Sequence, residues 1–214
     1  MTFSRSVLAA AVGLCFGLPA AAQYIGVLQS AETMDRGTFK LMAAPIMAFG
    51  KNEADDEFGL ALRGGYGFTD RFDAEAKLGF FENSTVVGAD AEFWLLSGKE
   101  EDTGLDISLT GGLHWIGGNN DNFDIIGLEV TPQLSGHVTK NLELCGALDT
   151  SFESIQDAPE GADDTFWRVH LVPGIEYTLS DTIDLEGEVG IGLNDNSFTY
   201  AGVGIVFYFR SDKE

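Results

Sequence analysis

The sequence predicts an all-β protein, a closed antiparallel up-and-down transmembrane β-barrel of about ten strands. Three observations favour this fold class. Apolar and polar residues alternate with a period of two over ten segments, which is typical of half-buried strands rather than helices. Short and long connections alternate between these segments. The chain also begins with a secretory signal, which indicates export.

The ten segments are each about ten residues long or longer and are bounded by turn-forming residues. They are predicted at residues 38–49, 58–68, 72–81, 85–96, 105–116, 123–138, 142–152, 166–179, 183–193 and 198–210. No stretch has the period of a long amphipathic helix, and no run of 18 apolar residues occurs. The even strand number and the strand length are typical of barrels that cross a membrane.

The connections differ in length and composition. Those after strands one, five and seven are long and polar: GKNEADDE, GGNNDN and ESIQDAPEGADDT. Those after strands two, six and eight are tight: TDR, TKN and SDT. This alternation predicts consecutive hairpins with short turns at one end of the barrel and longer loops at the other.

Two stretches and the last strand resemble the small outer-membrane barrels of Gram-negative bacteria, the OmpA-like and OmpX-like group. The stretches are GYGFTDRFDAEAKLGF and EYTLSDTIDLEGEVGI, and the last strand is TYAGVGIVFYF. The resemblance implies an outer-membrane location, contact with outer-membrane lipid, and recognition of the last strand by the barrel-assembly machinery. It is architectural and implies no catalytic residue. The family usually stops at the terminal aromatic residue, whereas RSDKE follows Phe209 here.

The ends of the chain divide it into four parts. Residues 1–22 are predicted to be a signal peptide, with Arg5, an apolar run and an Ala20-x-Ala22 cleavage pattern. We expect an N-terminal periplasmic segment at 23–37, the transmembrane barrel at 38–210 and a C-terminal tail at 211–214. Both mature termini are expected in the periplasm.

Composition excludes several classes of partner and structure. The formal net charge of −22 disfavours nucleic acid and anionic membrane surfaces as partners. The 44% hydrophobic content, with 16 Phe, is enough to order the chain. Cys15 falls in the signal peptide, so Cys145 has no partner for an intramolecular disulfide.

The two faces of the predicted strands have different chemistry. One face is nearly free of charge. The other carries polar and charged residues: Arg63, Asp73, Glu75, Lys77, Asp90, Glu92, Asp106, His114, Glu129, Gln133, His137, Glu143, Asp149, Arg168, His170, Glu176, Asp184, Glu186 and Glu188. A soluble sandwich or lipocalin-like barrel would also alternate. Long strands, aromatic residues near strand ends and glycines on the polar face favour the membrane barrel with a polar lumen.

Three prolines lie inside predicted strands, where each removes one ladder donor. They are Pro45, Pro132 and Pro173. A closed barrel has no edge strand to hold them, so we expect either bulges at these positions or a local error in the predicted strand register.

The site residues are therefore lumen residues. Asp73, Asp106, Glu143 and Asp184 begin rising strands and are expected to form an acidic ring near the short turns, a device that favours cations. Glu186, Glu188 and Glu75 form an acidic stripe. The basic counter-charges are Arg63, Lys77 and Arg168.

Neither an enzyme nor a metal site is predicted. His114 and His170 are expected near the long loops, close in height to Asp163 and Asp164, but no nucleophile accompanies them. Oxygen-rich stretches at 119–124 and 194–197 lack the spacing of a calcium loop and are typical of turns. No cofactor is expected.

Three functions remain open from the sequence. The first is a porin-like barrel with a narrow, cation-preferring passive pore for small cations or solutes. The second is a structural or surface-interaction barrel with a plugged lumen and acidic loops near 51–57 and 153–165. The third is an outer-membrane lipid- or peptide-hydrolysing enzyme that uses His114 or His170.

Overall fold

The computed structural model describes residues 25–50, 56–98, 104–118, 124–156 and 164–210. Ten strands account for most of them. They are β1 (Thr38–Phe49), β2 (Glu57–Thr69), β3 (Phe72–Phe81), β4 (Ser84–Leu96), β5 (Asp106–Gly118), β6 (Ile125–His137), β7 (Leu142–Ile155), β8 (Thr165–Ser180), β9 (Ile183–Gly192) and β10 (Thr199–Arg210).

The strands form one closed barrel in which every strand pairs with its neighbours in sequence and β1 pairs with β10. All pairs are antiparallel, and the closing pair runs from Thr38 opposite Arg210 to Phe49 opposite Thr199. Closure leaves no unpaired edge, which is the condition for a sheet to lie in lipid. The predicted fold class and strand number are confirmed.

Burial alternates along the strands as the sequence pattern predicts. In β1, for example, every second residue from Thr38 to Ala48 is buried and most residues between them are exposed. The exposed set is apolar and includes large side chains such as Leu113, Leu128 and Val203. Because the buried set is largely polar, the barrel has an apolar outer wall and a polar interior, the reverse of a soluble protein.

The strand prolines do not shift the register. Pro45, Pro132 and Pro173 each pair with one neighbouring strand, and the ladder to the other neighbour is interrupted and then resumes unchanged. The expected bulges at these positions were therefore wrong, because a local loss of pairing on one side accommodates each ring. The register shifts lie elsewhere, between Gly67 and Thr69, Trp94 and Leu96, and Thr178 and Ser180.

We call the end with the β2–β3, β6–β7 and β8–β9 turns the short-turn end and the opposite end the long-loop end. Aromatic rings form a row on the outer surface of the barrel at the short-turn end. The centroids of successive rings are 4.6–5.8 Å apart, in the order Phe39, Tyr66, Phe68, Phe72 and Phe93. Near the long-loop end Phe152 and Trp167 pack at 5.1 Å. Rings at both ends of an apolar wall are typical of membrane interfaces.

The chain before β1 enters the barrel. Residues 25–34, which we call the lumen segment, are mostly buried and contact the inner faces of six strands. The sequence predicted residues 23–37 as an N-terminal periplasmic segment. The structure places residues 25–34 inside the barrel, where their backbone groups bond to lumen side chains such as Glu188, Asp73 and Ser135.

Some predictions lie outside the described residues. These are the signal peptide at 1–22, the tail at 211–214, the acidic loop residues 51–55 and 157–163, and the stretch 119–123. Within the described ranges no helix is long and apolar enough to cross a membrane.

The loss of unfolding free energy caused by an added charge on the outer wall should depend on how deep in the membrane the charge lies. Val130→Arg, on the exposed middle of β6, should lower the free energy of unfolding by about 2–4 kcal/mol, since a charge would sit near the bilayer midplane. Val138→Arg, just beyond the same strand, should cost about 0–1 kcal/mol at the interface. Urea titration in lipid vesicles, followed by tryptophan fluorescence, measures both. Equal losses would contradict a membrane-facing wall.

Candidate functional site: the barrel lumen

The interior wall is charged and strongly acidic. Twelve acidic residues of the described chain are buried there against four basic residues. The acids are Glu57, Asp73, Glu75, Asp90, Glu92, Asp106, Glu143, Asp149, Glu153, Asp184, Glu186 and Glu188, and the bases are Lys40, Arg63, Lys77 and Arg168. There are therefore too few buried bases for each acid to have a cation of its own. The remaining buried carboxyl groups need other polar partners.

A chain of ion pairs, which we call the lumen network, uses all four buried bases. Its members are Lys40, Glu75, Arg63, Asp90, Lys77, Glu129, His114, Glu153 and Arg168. They come from β1 to β8, so the network crosses the interior rather than following one strand. The sequence-predicted counter-charges Arg63, Lys77 and Arg168 all belong to it.

Lys77 bridges two carboxylates of the lumen network. Its Nζ lies 2.8 Å from Asp90 Oδ2 and 2.7 Å from Glu129 Oε2. Arg63 lies beside it in the β2–β3 pairing and contacts Glu75 at 2.8 Å. Like charges on adjacent strands are tolerated here because carboxylates separate them.

The four acids of the predicted ring are all buried at the short-turn end but have different partners. Asp73 accepts a hydrogen bond from the backbone N–H of Met34 at 2.8 Å. Asp106 accepts one from the N–H of Gly98 at 2.7 Å and so closes the β4–β5 connection. Glu143 lies near His137, at 3.9 Å. The fourth, Asp184, lines a cavity described below. Each of the four acids thus has its own partners or surroundings. Their joint action as an acidic ring stays a prediction.

The predicted stripe is divided between three roles. Glu75 belongs to the lumen network. Glu188 accepts hydrogen bonds from the backbone N–H groups of Val27 at 2.9 Å and Leu28 at 2.7 Å. Glu186 borders the open part of the interior. Glu188 thereby holds the backbone of the lumen segment, whereas Glu186 lines open space beside it.

The lumen segment is tied to the wall along its whole length. Arg63 donates to the carbonyl of Val27 and, at 2.8 Å, to Gln29 Oε1. Gln29 donates to Thr110 at 3.1 Å, and the N–H of Ala31 donates to Ser135 Oγ at 3.1 Å. These contacts reach opposite sides of the barrel, so the segment spans the lumen.

Glycine makes room for this segment at two places. Gly26 has φ +80°, a conformation that favours glycine, and a Cβ there would collide with the Glu188 carboxylate. At the other end, a Cβ on Gly67 would lie 2.6 Å from the carbonyl oxygen of Met34. The glycines that the sequence placed on the polar face include Gly67, where the segment leaves the barrel.

An apolar cluster closes the interior towards the long-loop end. The lumen segment contributes Ile25, Val27 and Leu28. The strands contribute Ile46, Phe81, Val86, Ile116, Val172 and Tyr200 among others, and the β9–β10 connection contributes Phe198. The segment is therefore part of an inner core as well as a hydrogen-bonded strap.

The short-turn end contains an open cavity of about 320 Å³, which we call the mouth cavity. Asp73, Glu92, Glu176, Asp184 and Glu186 line it, with Lys40 as the only buried base among its lining residues that the structure describes. The lumen segment forms part of its wall. Opposed carboxylates around water-accessible space attract cations.

The histidines have carboxylate neighbours other than those expected. His114 Nδ1 lies 2.5 Å from Glu129 Oε1, and His170 Nδ1 lies 3.7 Å from Asp149 Oδ2. His170 also packs edge-on against Phe198 and Tyr200. Asp163, one of the two expected neighbours, is outside the described residues. The arrangement joins His114 to the lumen network and His170 to the apolar cluster.

Comparisons with known proteins bear on the fold. The sequence matches no protein-family model, and no curated protein matches it. Among solved structures, the COG4313 outer membrane channel from Pseudomonas putida F1 is similar with a TM-score of 0.54 at 12% identity, over 84% of this chain and 98% of that one. At this identity the similarity shows a shared fold.

Two further solved structures have lower scores. The KdgM porin aligns with a TM-score of 0.48 at 13% identity, over 80% of this chain and 99% of that one. The N-terminal β-barrel domain of Pseudomonas aeruginosa OprF aligns with a TM-score of 0.37 at 14% identity, over 82% of this chain and all of that one. The fold shared with the COG4313 outer membrane channel confirms the architectural resemblance seen in the sequence.

Removing Lys77 alone should lower the free energy of unfolding more than removing Lys77 together with the charges of Asp90 and Glu129. Lys77→Met leaves Asp90 and Glu129 buried without their shared partner, and we expect a loss of about 3–5 kcal/mol in unfolding free energy. The triple variant with Asp90→Asn and Glu129→Gln should recover part of that loss. Urea titrations monitored by tryptophan fluorescence test both variants. A triple variant as unstable as the single one would refute charge burial as the cause.

Proposed function

We propose that the protein is a porin-like channel of the outer membrane whose polar interior is closed by its own lumen segment. The observation that carries this proposal is the segment's attachment. Residues 25–34 cross the lumen and contact its wall through hydrogen bonds and apolar packing. A closed barrel with a removable internal segment provides both a path for solutes and a means to close it.

The location and immediate partners belong to the same proposal. An apolar outer wall with aromatic rings at both ends is suited to the outer membrane and its lipids. β10 ends in outward-facing Phe207 and Phe209, which are exposed, and we propose that the barrel-assembly machinery recognises this strand. One protein of similar fold, the COG4313 outer membrane channel, is itself a channel, which agrees with a channel role here.

Cation preference is part of the proposal because the interior has surplus negative charge. The lumen network neutralises some of the acids, but it leaves those of the mouth cavity with few cations nearby. A solute that enters from the short-turn end passes the cavity lined by Asp184, Glu186 and Glu176. Small cations are therefore the solutes we propose for the pore.

A second function, a structural barrel with a permanent plug, is favoured by the apolar cluster. Ile25 and Leu28 are 3% and 1% exposed, so pulling them out would uncover apolar surface inside the barrel. The two functions differ in whether the segment ever leaves the lumen. That difference can be measured directly.

A reversible crosslink should control conduction. Ala31 and Ser135 are both small, and the Ala31 N–H lies 3.1 Å from Ser135 Oγ. In a Cys145→Ser background, Ala31→Cys with Ser135→Cys should form a disulfide that fixes the lumen segment. In planar bilayers we expect the oxidised protein to lose at least nine-tenths of its channel openings and to regain them on reduction.

The single variant Ala31→Cys in the same background is the control and should not respond to reductant. Deletion of residues 25–34 should give channels that stay open. If neither the reduced double variant nor the deletion shows single-channel steps, although both run as folded heat-modifiable barrels, the pore is refuted and the permanent plug is supported.

Ion selectivity should follow the mouth cavity. We expect the K⁺ to Cl⁻ permeability ratio, measured from reversal potentials in a KCl gradient, to exceed one severalfold. Glu176→Gln with Glu186→Gln should lower the ratio at least twofold, since both side chains line the cavity. Asp195→Asn, an exposed change in the β9–β10 connection, should leave it unchanged. A ratio near one in the native protein would refute cation preference.

A further inference from the structure

Three side chains of metal-binding type converge at the short-turn end, where the lumen segment approaches the mouth. Glu32 belongs to the lumen segment, His137 ends β6 and Glu143 is the second residue of β7. One ligand atom from each lies within 4.8 Å of the others. Because the three come from separate parts of the chain, the cluster exists only in the folded barrel.

The three side chains are close enough to share an ion after a small movement. His137 Nε2 lies 3.4 Å from Glu32 Oε1, whereas the other ring nitrogen, Nδ1, lies 3.9 Å from Glu143 Oε2. An imidazole gives only one nitrogen to a given ion, so His137 would bind through one of them and one carboxylate would approach that nitrogen. Two ligand atoms with bonds of about 2.1 Å to a tetrahedral metal are about 3.4 Å apart. The side chain of His137 is 41% exposed, so it has room to adjust towards both carboxylates.

The mouth cavity beside these three residues is open to cations and contains little positive charge. Glu32 and His137 line the mouth cavity, through which an ion can enter. Glu186 lines the same cavity, and its Oε2 atom is buried without a hydrogen-bond partner in the described chain. Lys40 is the only buried base that the structure describes among the cavity's lining residues. Positive charge is therefore scarce beside several carboxylates.

We propose that Glu32, His137 and Glu143 bind a divalent transition-metal ion and that the ion clamps the lumen segment to β6 and β7. An imidazole with two carboxylates suits Zn²⁺ and similar metals, whereas Ca²⁺ prefers six to eight oxygen ligands. Three protein ligands leave a fourth position for water. The sequence pattern did not indicate this site, because Glu32 meets the other two residues only through the path of the lumen segment.

Zn²⁺ binding to the mature protein, folded in detergent and without a histidine tag, tests the proposal. Competition with a chromophoric chelator should show one site per chain with a Kd of 10 μM or tighter. His137→Ala and Glu32→Gln should each weaken binding at least tenfold. Zinc X-ray absorption should show a single imidazole ligand, which His137→Ala removes.

Asp181→Asn is the matched control, since Asp181 is an exposed acid that lines the same cavity but lies outside the cluster. It should change the Kd less than twofold. A Kd above 100 μM in the native protein, or equal weakening by Asp181→Asn and His137→Ala, would overturn the proposal. Retained heat-modifiable mobility shows that each variant is folded.

The consequence for conduction rests on the proposed channel function. Zn²⁺ should lower the frequency of openings at least threefold in the native protein and leave His137→Ala unaffected. If binding is found but no variant ever conducts, the metal site stands and the channel is refuted. If channels open but Zn²⁺ binds neither tightly nor through His137, the site is refuted and the channel stands.

Discussion

Glu188 of β9 accepts hydrogen bonds from the N–H groups of Val27 and Leu28, while Arg63 of β2 donates to the Val27 carbonyl. These contacts join the lumen segment to two separate strands of the wall, and much of the interior depends on them. A buried carboxylate needs a cation or donated hydrogen bonds. With too few lysines and arginines inside, backbone N–H groups serve as donors for the surplus acids.

The interior consequently has three zones along the barrel axis. Apolar side chains of the lumen segment and the wall pack at the long-loop end. The lumen network passes through the middle, where Lys77 and Arg63 separate the carboxylates of several strands, and its member Lys40 also lines the mouth cavity. The mouth cavity at the short-turn end is open and is lined by several carboxyl groups.

The sequence predicted every strand end to within three residues of its observed position. A sheet with lipid on one side and a polar lumen on the other requires a period of two over every strand, so β3, for instance, was predicted with both its bounds, Phe72–Phe81. The expectation of bulges at the prolines was wrong because each proline interrupts the ladder on one side only. Pairing on one side of Pro132 continues with Leu109 and holds the strand in place.

Only part of the candidate site could be predicted from the sequence. Alternation placed Arg63, Glu75, Lys77 and Glu188 on the polar face, but it could not say which would pair with which. Partners such as Lys77 and Glu129 lie on β3 and β6, and barrel curvature with strand tilt brings them together across the interior. The lumen segment left no periodic signal because it forms no strand.

The sequence by itself determined that the chain forms a ten-stranded barrel with an apolar outside and an acidic inside, since both properties follow from local alternation. Only the tertiary structure decided that residues 25–34 fill the lumen and that Glu32, His137 and Glu143 meet. These contacts join residues far apart in the chain. These contacts stabilise the protein because they satisfy buried charged groups. Those groups become buried only when the barrel closes.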